Sequence, residues 1–261
     1  LLVKKLDINS GIGDDFMGLL LGTFTYEDGT ASSPSDFEVR AIAGIPDKYY
    51  QSTRNPGHDF LYMPLQETSN NNTWLTHNLG AEYCDVNSSS FNPFKLPTGD
   101  NDQLAYGSYF QYGRDADGHE FEDSATYDTG SNPEADTTVP LVGNNWDVKF
   151  IIGTNSNTWA DSDKPEVDFS TTWNNEDAPN NPCPSGYSVP TFAELDDDIS
   201  DSAPLKFTYC DRRRQNDGTV GNFSNEGWYY SNKLESGDTY EGKRISGFGD
   251  FSTFGNKTGQ A

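Results

Sequence analysis

Two stretches of this sequence, residues 85–103 and 115–145, run far beyond the about four to six residues of an ordinary connection. They consist largely of Asp, Asn, Ser and Gly. A compact domain keeps such loops where a scaffold holds them and where they carry function. The apolar segments around them are short. Residues 60–65, 73–75, 148–152, 205–209 and 228–230 each read as a strand, with a turn at Asn70-Asn71-Asn72. The clearest helix start is Thr191-Phe192-Ala193-Glu194. There Thr191 can cap the Glu194 amide while Glu194 reaches back, and Pro190 stops structure entering from upstream. That helix should end near Ile199. Residues 247–255 alternate glycine and aromatic residues. Few helices, short twisted strands and long ordered loops predict an α+β fold that presents loops.

Aromatic rings supply what the aliphatic residues do not. Only 33% of the chain is hydrophobic, yet it holds 16 Phe, 14 Tyr and 5 Trp. Disordered chains are poor in rings, so this chain should bury a core built on them. Residues 1–55 read as a separate small β-rich attachment segment. In it, residues 23–26 and 37–42 alternate apolar and polar around Glu27-Asp28-Gly29-Thr30, as a half-buried hairpin does. Residues 56–261 form the main domain. A homo-oligomer or an assembly partner would engage residues 1–55.

The 41 Asp and Glu outnumber the 17 Lys and Arg, for a net charge of −24. This excludes nucleic acid as a partner, since phosphate binding rests on clustered cations and counterion release. It also disfavours anionic membrane surfaces. No stretch approaches the roughly 20 apolar residues of a spanning helix, so membrane insertion is not expected. Cys84, Cys183 and Cys210 form no C-x-x-C pair and lie far in sequence from His58, His77 and His119, which argues against a Cys/His metal site. Asn-x-Ser/Thr sequons occur at Asn71, Asn87, Asn222 and Asn256.

Among the loops, Asp115-Ala116-Asp117-Gly118-His119-Glu120 places oxygens at alternating positions around a glycine. Asp115, Asp117 and Glu120 are therefore candidate calcium ligands, although the full twelve-residue EF-hand pattern is absent. Asp100-Asn101-Asp102 and Asp196-Asp197-Asp198 are further acidic clusters. For ligand binding the late region stands out, with Asn222, Asn225, Tyr229, Asn232, Tyr240 and Arg213 as candidates. Rigid rings supply contact area there and small polar groups supply adaptable hydrogen bonds. Trp228 should pack inward, Arg114 should be buried with a carboxylate, and Trp74, Leu75 and Leu79 should sit in the core. No G-x-S-x-G, H-E-x-x-H or phosphate-cradling loop is present, so enzymatic activity is not expected.

Several segments, in order, resemble one family: residues 73–81, residues 105–114 with Asp117-Gly118-His119, residues 181–191 with Glu194-Leu195, and residues 227–231. They are similar to the Fibrobacter succinogenes major paralogous domain, over about residue 58 to the end. The resemblance implies a C-type-lectin-like fold related to formylglycine-generating enzymes and to the variable proteins of diversity-generating retroelements. It also implies an extracellular recognition or adhesion domain of a Bacteroidetes-type cell surface or a virion, binding glycans or proteins through loops. A structural subunit of a virion fibre, decoration or secretion-linked assembly is the alternative. The family's closing strand of the type Val-Arg-Cys has no counterpart before Gly259-Gln260-Ala261, so Cys183 lacks that partner here. Cys84–Cys210 and Cys183–Cys210 remain as alternative pairings.

Overall fold

A computed structural model describes residues 20–26, 35–41, 44–66, 72–133, 135–138, 143–153, 159–161, 167–198, 205–221, 225–235, 239–246 and 252–255. The chain divides into two compact units, Leu1–Ile45 and Pro46–Ala261. In the first, β1 (Leu20–Tyr26) pairs antiparallel with β2 (Ser35–Ala41), and Phe24 faces Phe37. The alternation of apolar and polar residues in both segments suits such a hairpin. The expected turn at residues 27–30 lies outside the described residues.

The second unit begins before residue 56, for a visible reason. Asp47 bonds His58 and Tyr62, Lys48 reaches Asp115 and Asn181, and the Asn55 amide donates to the Ala116 carbonyl at 2.7 Å. A two-residue strand, β3 (Ile45–Pro46), falls at the junction. Then follow β4 (Leu61–Tyr62), β5 (Pro64–Gln66), β6 (Thr73–Leu75), β7 (Thr126–Asp128), β8 (Phe150–Ile152), the helix α1 (Phe192–Asp198), β9 (Glu226–Glu235), β10 (Thr239–Ser246) and β11 (Ser252–Gly255). β5 and β6 are antiparallel, β7 and β8 parallel, and β11-β10-β9 form an antiparallel sheet. The class is α+β, with strands in several small sheets.

Order between the strands comes from local side-chain bonds. Asp85, Asp128, Asp168 and Asp217 each accept the amide two residues on, closing turns in otherwise polar stretches. Thr191 and Glu194 make the expected reciprocal cap: the Glu194 amide donates to Thr191 Oγ1 at 3.2 Å and the Thr191 amide to Glu194 Oε2 at 2.7 Å. Residues 205–209 do not form the expected strand. The Thr208 amide and carbonyl are both engaged by the Tyr229 hydroxyl, at 2.8 and 2.7 Å, and the Tyr209 amide donates to the Asp100 carbonyl. With those groups spent, no ladder forms there.

The core is built on rings. Tyr112, Tyr127, Trp146, Trp159, Phe169, Trp173, Trp228 and Tyr230 are buried together around Ile151 and Val189. Trp159 and Phe169 meet edge to face at 5.6 Å, as do Tyr112 and Tyr230 at 5.4 Å. Buried indoles need acceptors: Trp159 Nε1 donates to the Tyr112 carbonyl at 2.7 Å and Trp173 Nε1 to the Asn180 carbonyl at 2.8 Å. Trp228 packs inward as expected. All three cysteines are free thiols, so neither anticipated pairing forms.

Candidate ligand groove and the buried polar network

The acidic loop that carries the expected calcium ligands folds into a buried hydrogen-bonded network. The Asp115 carboxylate reaches across to residues 48 and 49: one oxygen accepts from Lys48 Nζ at 2.8 Å and from the Ala116 amide at 3.0 Å, and the other from the Tyr49 hydroxyl. The Asp117 carboxylate accepts from Arg114 Nη2 at 2.7 Å and Nε at 3.0 Å. The same guanidinium reaches the carbonyls of Lys149 and Trp146 and lies against both the Trp146 and Trp159 rings, at 5.0 and 5.5 Å, where the two indoles meet each other at 5.8 Å. Arg114 is thus the buried, carboxylate-paired organiser the sequence suggests.

Asp117, His119 and Glu120 bring one ligand atom each within 4.8 Å of one another. The His119 ring decides what this cluster can do. Its Nε2 lies 3.0 Å from the Gln111 backbone amide and must accept that proton, so the proton of the neutral ring sits on Nδ1. Nδ1 then donates to Asp117 Oδ1 at 2.8 Å, with Glu120 Oε2 at 3.2 Å. With that tautomer the ring offers a cation no lone pair, which leaves the Asp117 and Glu120 oxygens as the donors of the cluster. Calcium takes oxygens, and Asp115 does not join the group. Of the expected calcium ligands, Asp117 and Glu120 thus lie together with His119, while Asp115 bonds Lys48 and Tyr49.

Burial and the Arg114 charge lower the His119 pKa below the ordinary imidazole value, opposed by Asp117. Burial would raise the Asp117 pKa, but Arg114 and His119 hold it well below the usual carboxylate range. His58 behaves oppositely. Burial pulls its pKa down, yet hydrogen bonds and charge from Asp47 and Glu120 overcome this and push it up to about 9. The chain Tyr62–Asp47–His58–Glu120–His119–Asp117–Arg114 therefore ties residues 47–62 to the long loop through buried groups.

A separate groove, a cavity of about 340 Å³, opens on the second unit. One side is the continuous segment 72–79, which includes β6. Facing it are residues 186–190, the first turn of α1, residues 205–207 and Tyr229. Half-buried rings of Trp74, Phe110, Tyr187, Phe207 and Tyr229 border the space, and Trp173 and Tyr230 close its floor. Phe207 and Tyr229 meet edge to face at 4.9 Å. Charge is sparse: Glu194, engaged by Thr191, and exposed Lys206 are the carboxylate and ammonium on the walls. Such a mainly apolar cleft with a few polar groups is the usual form of a binding site.

Of the expected ligand residues, the groove takes in Tyr229. Asn225 is exposed in a left-handed turn conformation, φ 78°, at the entry to β9. The Asn232 amide donates to the Pro190 carbonyl at 2.7 Å. Arg213, expected at a ligand surface, is buried. Its guanidinium donates to the carbonyls of Phe121, Ser124 and Gly218 and lies over the Phe150 ring at 4.4 Å, pinning loops together. Asn222 lies outside the described residues, as does the Tyr240 side chain on β10. Trp74, Leu75 and Leu79, expected in the core, are half-buried groove residues. The signal for them was present: a run of Trp and Leu in a three-residue strand has two faces, and one need not be covered.

An α+β protein with an aromatic groove over a ring-packed core is thus the class that fold and site define. No protein-family model, no curated protein and no solved structure matches the chain.

Proposed function

We propose that this protein is a non-enzymatic recognition domain of C-type-lectin-like type, displayed outside the cell on a bacterial surface or a virus particle, and that the aromatic groove is its ligand site. The observation that carries this reading is the convergence of half-buried rings from five separated segments on one cleft of about 340 Å³. Rings held from outside the cleft lose little conformational freedom when they take up a ligand. Trp173, for example, is fixed by the Asn180 carbonyl, and Tyr229 by both backbone groups of Thr208.

The thiols on the groove support a binding role over catalysis. Burial pushes the Cys183 pKa up to about 12, and burial raises that of Cys210 also, so neither supplies a thiolate near neutrality. The test is a saccharide array and a linear-peptide library screened in parallel with the full chain. Saturable binding to members of either set is expected. Trp74→Ala and Phe207→Ala should weaken it about thirtyfold, the effect of losing an anchoring ring of about 2 kcal/mol, with circular dichroism unchanged. Absence of binding in both screens, or binding that ignores both substitutions, overturns the reading.

A further inference from the structure

The edge of β6 tells what kind of ligand fits. In the β5–β6 ladder Leu65 faces Trp74 and Pro64 faces Leu75. The Thr76 amide donates to the Met63 carbonyl, one step further along the same register. Antiparallel pairs alternate between bonded and non-bonded, so Leu65 and Trp74 exchange the ladder bonds while Thr73 and Leu75 turn their amides and carbonyls away from β5. Pro64, with no amide proton to give, suits its place opposite Leu75. No partner within the chain takes those outward groups of Thr73 and Leu75 among the described residues. Neither Lys nor Pro blunts this edge, and it borders the groove.

Taking the groove as the ligand site, we infer that its ligand is an extended peptide segment of another protein, added as a strand along the outer edge of β6. A saccharide would find rings there but would leave a row of directional backbone donors and acceptors at the regular spacing of a strand. A peptide meets both features: its backbone pairs with Thr73 and Leu75, and alternate side chains enter the aromatic cleft. The three residues of β6 span roughly 10 Å at about 3.3 Å per residue, so the paired core of the ligand is short. Its composition follows from charge. The groove walls are nearly neutral, which selects apolar or uncharged residues at the core, while the net charge of −24 favours Lys and Arg in the flanks and repels acidic ones.

The full chain is panned against a phage-displayed library of random linear peptides, and a selected peptide is synthesised plain and with backbone N-methyl groups at alternate positions. The expected result is selection of sequences with apolar residues at alternate positions and basic flanks. Affinity should fall at least tenfold when one alternate set of amides is methylated, and much less with the other set. Leu75→Pro and Thr73→Pro, which remove outward amides and leave the β5–β6 bonds in place, should each weaken binding tenfold or more. A selected peptide indifferent to methylation in both sets overturns strand addition while the groove remains a recognition site. Saccharide binding in the groove with no peptide selected overturns the peptide as ligand and leaves the proposed function standing. No binding of either kind overturns both.

Discussion

His58 Nε2 lies 3.0 Å from Glu120 Oε1, and neither side chain is more than 3% exposed. The other ring nitrogen faces Asp47 at 3.2 Å, so the imidazole is held as a cation between two buried carboxylates. With its folded pKa raised to about 9 above the ordinary 6.5, its contribution is fully present below about pH 6.5 and is lost as pH rises through 9. Melting temperatures measured from pH 6.5 to about 7.5, below the range where exposed thiols and phenols titrate, should fall steadily. In His58→Gln that slope should flatten. His119, buried neutral, has the opposite sign: its lowered pKa makes stability fall as pH drops below about 6.5.

Arg114→Lys keeps the charge and should still cost about 2–4 kcal/mol. The paired bonds to Asp117 and the contact with the Trp146 and Trp159 rings need a planar fork, which an ammonium lacks. Urea unfolding of the two proteins measures the difference. An effect below about 0.5 kcal/mol, the scale of a surface substitution, would show that Arg114 does not organise the loops.

Because the Asp117 carboxylate is already paired with Arg114 and His119, excess chelator should leave the melting temperature unchanged, and added calcium should not raise it. Calorimetry at fixed pH checks both. A calcium-dependent rise in melting temperature would require a site elsewhere or a rearranged ring.

Gly107→Ala should disturb the groove more than its size suggests. A Cβ there would sit 2.5 Å from the Leu79 carbonyl oxygen and 2.6 Å from the Asn78 Cβ, and the first of these is backbone that cannot step aside. The 78–79 wall must move, so about 1–3 kcal/mol of stability and most ligand affinity should be lost together. Thermal melting and the peptide-binding assay on one preparation measure both.

What the sequence made legible was local. The Thr191–Glu194 cap, the β1–β2 hairpin, inward-facing Trp228 and the buried Arg114 each follow from residue types at short spacing. The hydrogen bonds of the acidic loop were not legible, because carboxylates at alternating positions suit calcium and also suit pairing with basic and hydroxyl groups. The choice was made by Lys48, Tyr49 and Gln111, and Lys48 and Tyr49 lie more than sixty residues from Asp115. Arg213 looked like surface for the same reason, since its acceptors are carbonyls about ninety residues away. The groove escaped notice because it is made by what stays uncovered, and burial of a Trp in a short strand depends on contacts that sequence spacing does not encode.

The three free thiols have a mechanical consequence. No covalent bond shortens the path from one end of the polypeptide to the other. Under sustained tension a disulfide-stapled domain stops extending at its cross-links, whereas this chain of 261 residues would run out to roughly 900 Å once its packed rings part. Resistance to force therefore rests on non-covalent contacts, the aromatic core and the buried ionic chain among them, and once these part it is regained by refolding.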